Sequence, residues 1–139
     1  MPSRLRLALY QPEIPQNVGT LMRFAACTGV MLDIIEPCSF LFSNKKLLRA
    51  GMDYMDLRAY TRHSSWEDFL RADFFKDSPK GRLIGTSPRH GVPYTDFTYS
   101  PYDIILMGPE SVGLPEDILE VTAHNVFIPQ MEGTRSLNV

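Results

Sequence analysis

A chain of 139 residues and 15.8 kDa is about one domain long. A chain of that length buries roughly two thirds of its unfolded surface, so a core forms without disulfide or metal staples. Its 44% hydrophobic and 22% charged content excludes disorder, collagen and coiled coil, and a net charge of −2 argues against a non-specific nucleic-acid coat. The longest apolar runs, such as Ile104 to Met107, are far shorter than a membrane span, and Arg4 and Arg6 precede too short an apolar run for a signal peptide.

Leu5 to Tyr10 reads as a buried strand ended by Gln11 and Pro12. The following Pro-Glu-Ile-Pro-Gln-Asn is expected to be a loop, because two prolines restrict it. From Asn17, apolar residues at Val18, Leu21, Met22, Ala25 and Ala26 form the stripe of an amphipathic helix, with Asn17 as N-cap and Gly29 as the stop. Met31 to Ile35 completes a βαβ unit and predicts parallel pairing. Lys45 to Gly51 is expected as a short basic helix and Leu57 to Tyr60 as a strand. Ser65, with Asp68 three residues on, opens a helix running to about Ala72. Leu83 to Thr86 is the next strand, and 87–102 is expected to be irregular. Ile104 to Met107 is an apolar strand, Pro115 the first residue of a helix holding Ile118, Leu119 and Val121, and Val126 to Ile128 the last strand.

The expected architecture is α/β: an open, mostly parallel sheet of five or six strands with helices on both faces. Such sheets bind ligands at the carboxyl ends of their strands. Three loops there, Gln11 to Gly19, Gly108 to Pro115 and Pro129 to Val139, are rich in Gly, Pro, Asn, Glu, Ser and Arg. Five basic residues (Lys45, Lys46, Arg49, Arg58, Arg62) face only two acidic ones between Ser43 and Arg62, whereas His90 to Thr134 has seven Asp or Glu and no Lys or Arg. An anionic partner is therefore expected at the first half, against the bland alternative of a solvated charged face. Cys27 and Cys38, eleven residues apart and without histidine neighbours, fit neither a disulfide framework nor a zinc pattern; they read as buried thiols in a reducing cytoplasm.

No G-x-G-x-x-G or Walker motif follows the first strand, so the common phosphate cradles of this architecture are missing. His63, His90 and His124 are scattered and read as surface or structural. Three segments in order are specific in combination: Pro12-Glu13-Ile14-Pro15-Gln16-Asn17-Val18-Gly19-Thr20-Leu21-Met22-Arg23, then Met107-Gly108-Pro109-Glu110-Ser111-Val112-Gly113-Leu114-Pro115, then Ile128-Pro129-Gln130-Met131 with Arg135-Ser136-Leu137-Asn138-Val139. Together they resemble the signature motifs of the SPOUT (α/β-knot) RNA 2′-O-methyltransferases. Glu36-Pro37 after the second strand and the run Arg49 to Tyr54 look like the members of that class that methylate the wobble nucleotide of tRNA.

The resemblance implies S-adenosylmethionine as methyl donor, tRNA as substrate, a homodimer, a trefoil knot, no metal and no membrane. Catalytic roles fall on Asn17, Arg23, Glu110, Ser136 and Asn138. Cofactor contacts fall on Thr86, Gly108, Ile128 and Ser136, largely through backbone groups that Gly and Pro let approach closely. Lys45, Lys46 and Arg49 are the expected RNA-binding cluster. Deprotonating the Arg23 guanidinium near pH 7 costs at least about 7 kcal/mol, so Arg23 suits phosphate binding and electrostatic activation of the ribose hydroxyl better than general-base work. Taken singly, these residues have plain readings: Arg23 as a surface arginine, Asn17 and Glu110 as helix caps, Ser136 and Asn138 as turn residues, and Met22, Met107 and Met131 as core filler.

Family members continue beyond the third motif into a helix that completes the knot. The expectation is therefore a single domain shortened at its end, lacking the knot helix, with Glu132 to Val139 poorly ordered or displaced when no cofactor is bound; the alternative is a weakened cofactor binder. Methylation of ribosomal RNA, or a non-catalytic RNA-binding module of the same fold, are the competing readings.

Overall fold

The computed structural model describes residues 5–38, 60–76, 81–87, 91–122 and 124–129. The helix expected over Lys45 to Gly51, the RNA-binding cluster expected at Lys45, Lys46 and Arg49, the catalytic residues expected at Ser136 and Asn138, Met131, His90, and the segment expected to thread a knot lie outside these residues.

Among the described residues the strands are β1 (Arg6–Tyr10), β2 (Met31–Ile35), β3 (Tyr60–His63), β4 (Leu83–Thr86), β5 (Val92–Pro93), β6 (Ile104–Met107) and β7 (His124–Phe127). The helices are α1 (Pro15–Thr28), α2 (Trp66–Leu70) and α3 (Glu116–Val121). The sheet has seven strands in the order β3-β2-β1-β6-β4-β7-β5, every neighbouring pair parallel. This exceeds the expected five or six because β5, two residues long and ending in Pro93, lies inside the stretch read as irregular. Proline is tolerated there since β5 is an edge strand. β3 contains Tyr60 of the strand expected at Leu57 to Tyr60 and continues to His63, residues 57–59 lying outside the described ones, and the last strand starts two residues earlier than Val126.

Side-chain alternation divides the core between the two faces of the sheet. Leu9, Leu32 and Ile34 pack under Val18, Met22 and Ala25 of α1. On the other face Ala8, Ile35, Ile104 and Leu106 pack against Phe69 of α2 and Ile118 and Leu119 of α3. Met22 is fully buried, as its reading as core filler requires. Ser65 caps α2 as expected, its Oγ accepting from the Asp68 N–H at 3.1 Å. Pro115 is the N-cap of α3 rather than its first residue.

Two buried carboxylates stand within this apolar frame. Asp33 accepts from Arg6 Nε at 2.8 Å and Nη2 at 3.0 Å and pairs with His63 Nε2 at 2.8 Å. Asp103 binds Arg82 in the same two-pronged manner, at 2.8 Å for both contacts, and accepts from the Ser100 N–H at 2.7 Å. Bidentate guanidinium–carboxylate pairing satisfies a charge that would otherwise be costly to bury. His63 is thus a structural histidine, as read. The thiols are a correction: Cys27 is exposed and Cys38 only half-buried, because Cys27 falls near the end of α1, off its buried stripe.

Candidate active site

The sheet order places a switch point at its centre. From β1 the chain passes through α1 to β2 on one side, whereas from the adjacent β6 it passes through α3 to β7 on the other. Crevices outside the strand ends at such points are where open α/β sheets bind ligands. A solvent-open cleft lies at the ends of β1 and β6, lined by Leu9, Pro12, Asn17, Val18, Leu21, Met107, Gly108 and Glu110. Residues of the first and second motifs therefore converge although about ninety positions separate them.

The first loop does not end as expected. Pro15 is the first residue of α1, so the helix begins before Asn17, and the N-cap position falls on Ile14, which has no side-chain cap bond of its own. Proline suits that first position because its missing N–H would be unpaired there anyway. A residue from the opposite loop bonds the amides just ahead of the helix, not those of its first turn. The Glu110 carboxylate accepts from the Glu13 N–H at 2.7 Å and, more weakly, from the Ile14 N–H at 3.4 Å, just ahead of the helix. A negative group is favoured at this end of a helix. Asn17, one step inside the first turn, is left to line the cleft.

A second carboxylate returns the contact. Glu13 Oε1 accepts from the Ser111 N–H at 2.9 Å and from Ser111 Oγ–H at 2.7 Å. Those two bonds, the side-chain one first, hold the Glu13 carboxyl below its ordinary value. Gln11, where β1 turns into this loop, has a φ of 47°, a left-handed conformation uncommon outside glycine. Its N–H donates to the Ile35 carbonyl at 2.9 Å.

Gly108 is required for a different reason than the one inferred from sequence. A Cβ there would stand 2.3 Å from the Leu114 nitrogen and 2.5 Å from the Gly113 carbonyl carbon. The space is filled by the loop's own return, so this glycine lets the second loop fold back on itself. Thr86 and Ile128 stand near Gly108 in the strand order: β4 lies between β6 and β7, Thr86 pairs with Val126, and Gly108 and Ile128 directly follow their strands. The Thr86 hydroxyl donates to the Leu106 carbonyl at 2.9 Å, fixing β4 to β6. Ile128 is exposed.

Arg23 is exposed on α1. By helix geometry it lies about 9 Å along the axis from Asn17 and roughly 120° around it, so within one protomer the two do not share a face. Glu13, Ser111 and Gln11 have structural roles that no single-residue reading assigned. Glu13 and Ser111 stood within the quoted motifs, but only the folded loops reveal that they bond. Cys38, beside the cleft-side core, has its thiol pushed up to about 11, chiefly by burial and then by Glu36.

The model of the SpoU rRNA Methylase family matches residues 4–139. The chain belongs to this family. Among its relatives, a protein of Beijerinckia indica named tRNA (cytidine(34)-2′-O)-methyltransferase is 49% identical over 133 residues, covering 96% of this chain and 81% of the relative. An Escherichia coli K12 protein of the same name is 37% identical over 137 residues, covering 97% and 84%. A solved structure concerned with 2-OH methylation of C/U34 on tRNA superposes with a TM-score of 0.84 at 39% identity, over 99% of this chain and 88% of that one. An AdoMet-bound rRNA methyltransferase from Sinorhizobium meliloti aligns with a TM-score of 0.77 at 27% identity, over 96% of this chain and 50% of that one. As a SpoU methylase the chain is a methyltransferase. Among its described residues no helix is long and apolar enough to cross a membrane, and no group of three or more His, Cys, Asp or Glu could hold a metal.

Proposed function

We propose that this SpoU-family protein transfers a methyl group to the 2′-hydroxyl of the wobble nucleotide of tRNA, using S-adenosylmethionine and acting as a cytoplasmic homodimer built from a single domain. The observation that carries the reading is the convergence of Asn17 with Gly108 and Glu110 at the cleft between β1 and β6. The names of the relatives favour tRNA over ribosomal RNA.

The chain's residues fit the donor. Thr86, Gly108 and Ile128 belong to the ends of three adjacent parallel strands, the edge at which backbone N–H and C=O groups leave the sheet and become available to a ligand. Because the Thr86 hydroxyl is engaged with Leu106, Thr86 contributes its backbone and methyl group rather than its O–H. Ser136 adds a contact from the third motif. When bound, S-adenosylmethionine would supply an electrophilic methyl group for the ribose oxygen, with S-adenosylhomocysteine as the leaving group and the hydroxyl proton lost late or to the adjoining phosphate.

Asn17 orients the ribose, and Ser136 and Asn138 share the catalytic work. Arg23 binds the adjoining phosphate and favours the developing oxyanion electrostatically, since its guanidinium does not give up a proton near pH 7. Its distance around α1 from Asn17 suits a dimer in which Arg23 serves the cleft of the partner copy. Lys45, Lys46 and Arg49 hold the RNA through phosphates. The test is paired: S-adenosylmethionine binding by calorimetry, and methyl incorporation into tRNA and into ribosomal RNA. Binding with incorporation into tRNA supports the reading. Incorporation only into ribosomal RNA replaces the substrate, and binding without incorporation into either leaves an RNA-binding module.

A further inference from the structure

Glu13 and Glu110 form a closed exchange between two loops. Each carboxylate accepts the backbone N–H beside the other: Glu110 takes the amide of Glu13 itself, and Glu13 takes the amide of Ser111, the residue after Glu110. Bonds from the Ile14 N–H and the Ser111 hydroxyl complete the set, so four donors serve two neighbouring carboxylates. Two like charges brought together repel. Without those donors, this arrangement would be disfavoured. It persists because ionised acceptors make the stronger kind of hydrogen bond. The lowered Glu13 value agrees with a carboxylate held ionised.

The exchange joins the two parts of the cleft. On one side, four residues from Glu13, is Asn17; on the other, two residues from Glu110, is Gly108. These loops leave adjacent strands, and the bonds between Glu13–Ile14 and Glu110–Ser111 are side-chain hydrogen bonds that span them. A structural role in folding is met elsewhere, by the buried pairs of Asp33 and Asp103.

We propose that Glu13 is a positioning residue for methyl transfer: through Ser111 it holds the Gly108–Glu110 loop at a fixed distance from Asn17, so that donor and acceptor meet in line. The proposal rests on the methyltransferase reading above. Losing the clasp leaves each half of the site able to bind but misaligned, and misplacement of about 1 Å costs on the order of 100-fold in rate.

The test compares wild type, Glu13→Ala, Glu13→Gln and Ser111→Ala for tRNA methylation, S-adenosylmethionine affinity by calorimetry, and Tm. Glu13→Ala is expected to lower kcat by about 10- to 100-fold, with cofactor Kd and Tm close to wild type. Glu13→Gln keeps an acceptor oxygen and is expected to recover most of that loss. Ser111→Ala keeps the backbone bond and is expected to be the mildest. An unchanged kcat in Glu13→Ala, a kcat loss matched by loss of Tm, or a Glu13→Gln no better than Glu13→Ala would overturn the proposal. Absence of methylation by the wild type would instead sink the functional reading itself.

Discussion

Carboxylates hold together two regions of this molecule, and they do so with different partners. In the sheet, Asp33 and Asp103 are fully buried and each is gripped by an arginine side chain. At the rim of the cleft, Glu13 and Glu110 keep contact with water and take mostly backbone N–H groups. A buried charge must be matched by another charge, so the first pair fixes which strands lie together. A carboxylate on main-chain amides instead fixes the course of a loop. Stability and alignment are thereby assigned to separate residues, and mutations should separate them.

The largest expected effect is at Arg23. Replacing it with Lys keeps the charge but loses the planar fork, and tRNA methylation is expected to fall by on the order of 100-fold with unchanged Tm. A Lys variant that methylates normally would show that bidentate contact does not matter. At the opposite pole, Asp33→Ala leaves Arg6 and His63 facing an uncharged site. Urea unfolding is expected to register a loss of roughly 3–4 kcal/mol, in the lower part of the range for broken buried pairs because Arg6 is not fully buried. Its cofactor affinity, measured well below the unfolding midpoint, should stay near wild type; a parallel loss of binding would join the two regions after all.

Gly108→Ala lies between these extremes. Its Cβ would press on the Leu114 amide at 2.3 Å, so the second loop must open, and S-adenosylmethionine affinity is expected to drop by about tenfold, a penalty of roughly 1.4 kcal/mol. A smaller effect should appear in acid. Since the folded-state value of Glu13 is lowered, its contribution is present above the ordinary carboxylate value of 4.5 and disappears as pH falls through the lower one. The Ser111 amide resonance should report this with a midpoint below 4.5; a midpoint above it would contradict the bonded geometry. The mildest contrast is chemical. Cys38, with its thiol near 11, should be alkylated far more slowly at pH 8 than the exposed Cys27.

Much of the fold was legible in the sequence, and for a physical reason. Met31 to Ile35, Leu83 to Thr86 and Ile104 to Met107 are strands at the expected residues, because parallel strands buried on both faces read as short apolar runs. Val92–Pro93 carried no such signal, being two residues long and at the sheet edge. The start of α1 differs from the expectation because the helix opens at Pro15, a residue suited to the first helical position, after Ile14, an N-cap without a side-chain bond, whereas the expectation placed the cap on a residue type that caps, Asn17. The cysteines were misread because burial depends on which side of a helix a residue falls, and Cys27 lies at the end of α1, outside its apolar stripe.

The site was legible in part. Motif order pointed to Asn17, Gly108 and Glu110, and the structure brings these three to one cleft. What single residues do there was not legible. Gly108 serves its own loop, and Glu110 bonds the amides of Glu13 and Ile14 in the first loop. Glu13 and Ser111 acquire meaning only when two loops distant in sequence are placed side by side.

The most direct test of the account is nucleoside mass spectrometry of tRNA incubated with the protein and S-adenosylmethionine. The prediction is a single added methyl on the ribose of the wobble nucleotide, lost in Arg23→Ala. A methyl on a base, on another nucleotide, or on no tRNA at all would contradict it.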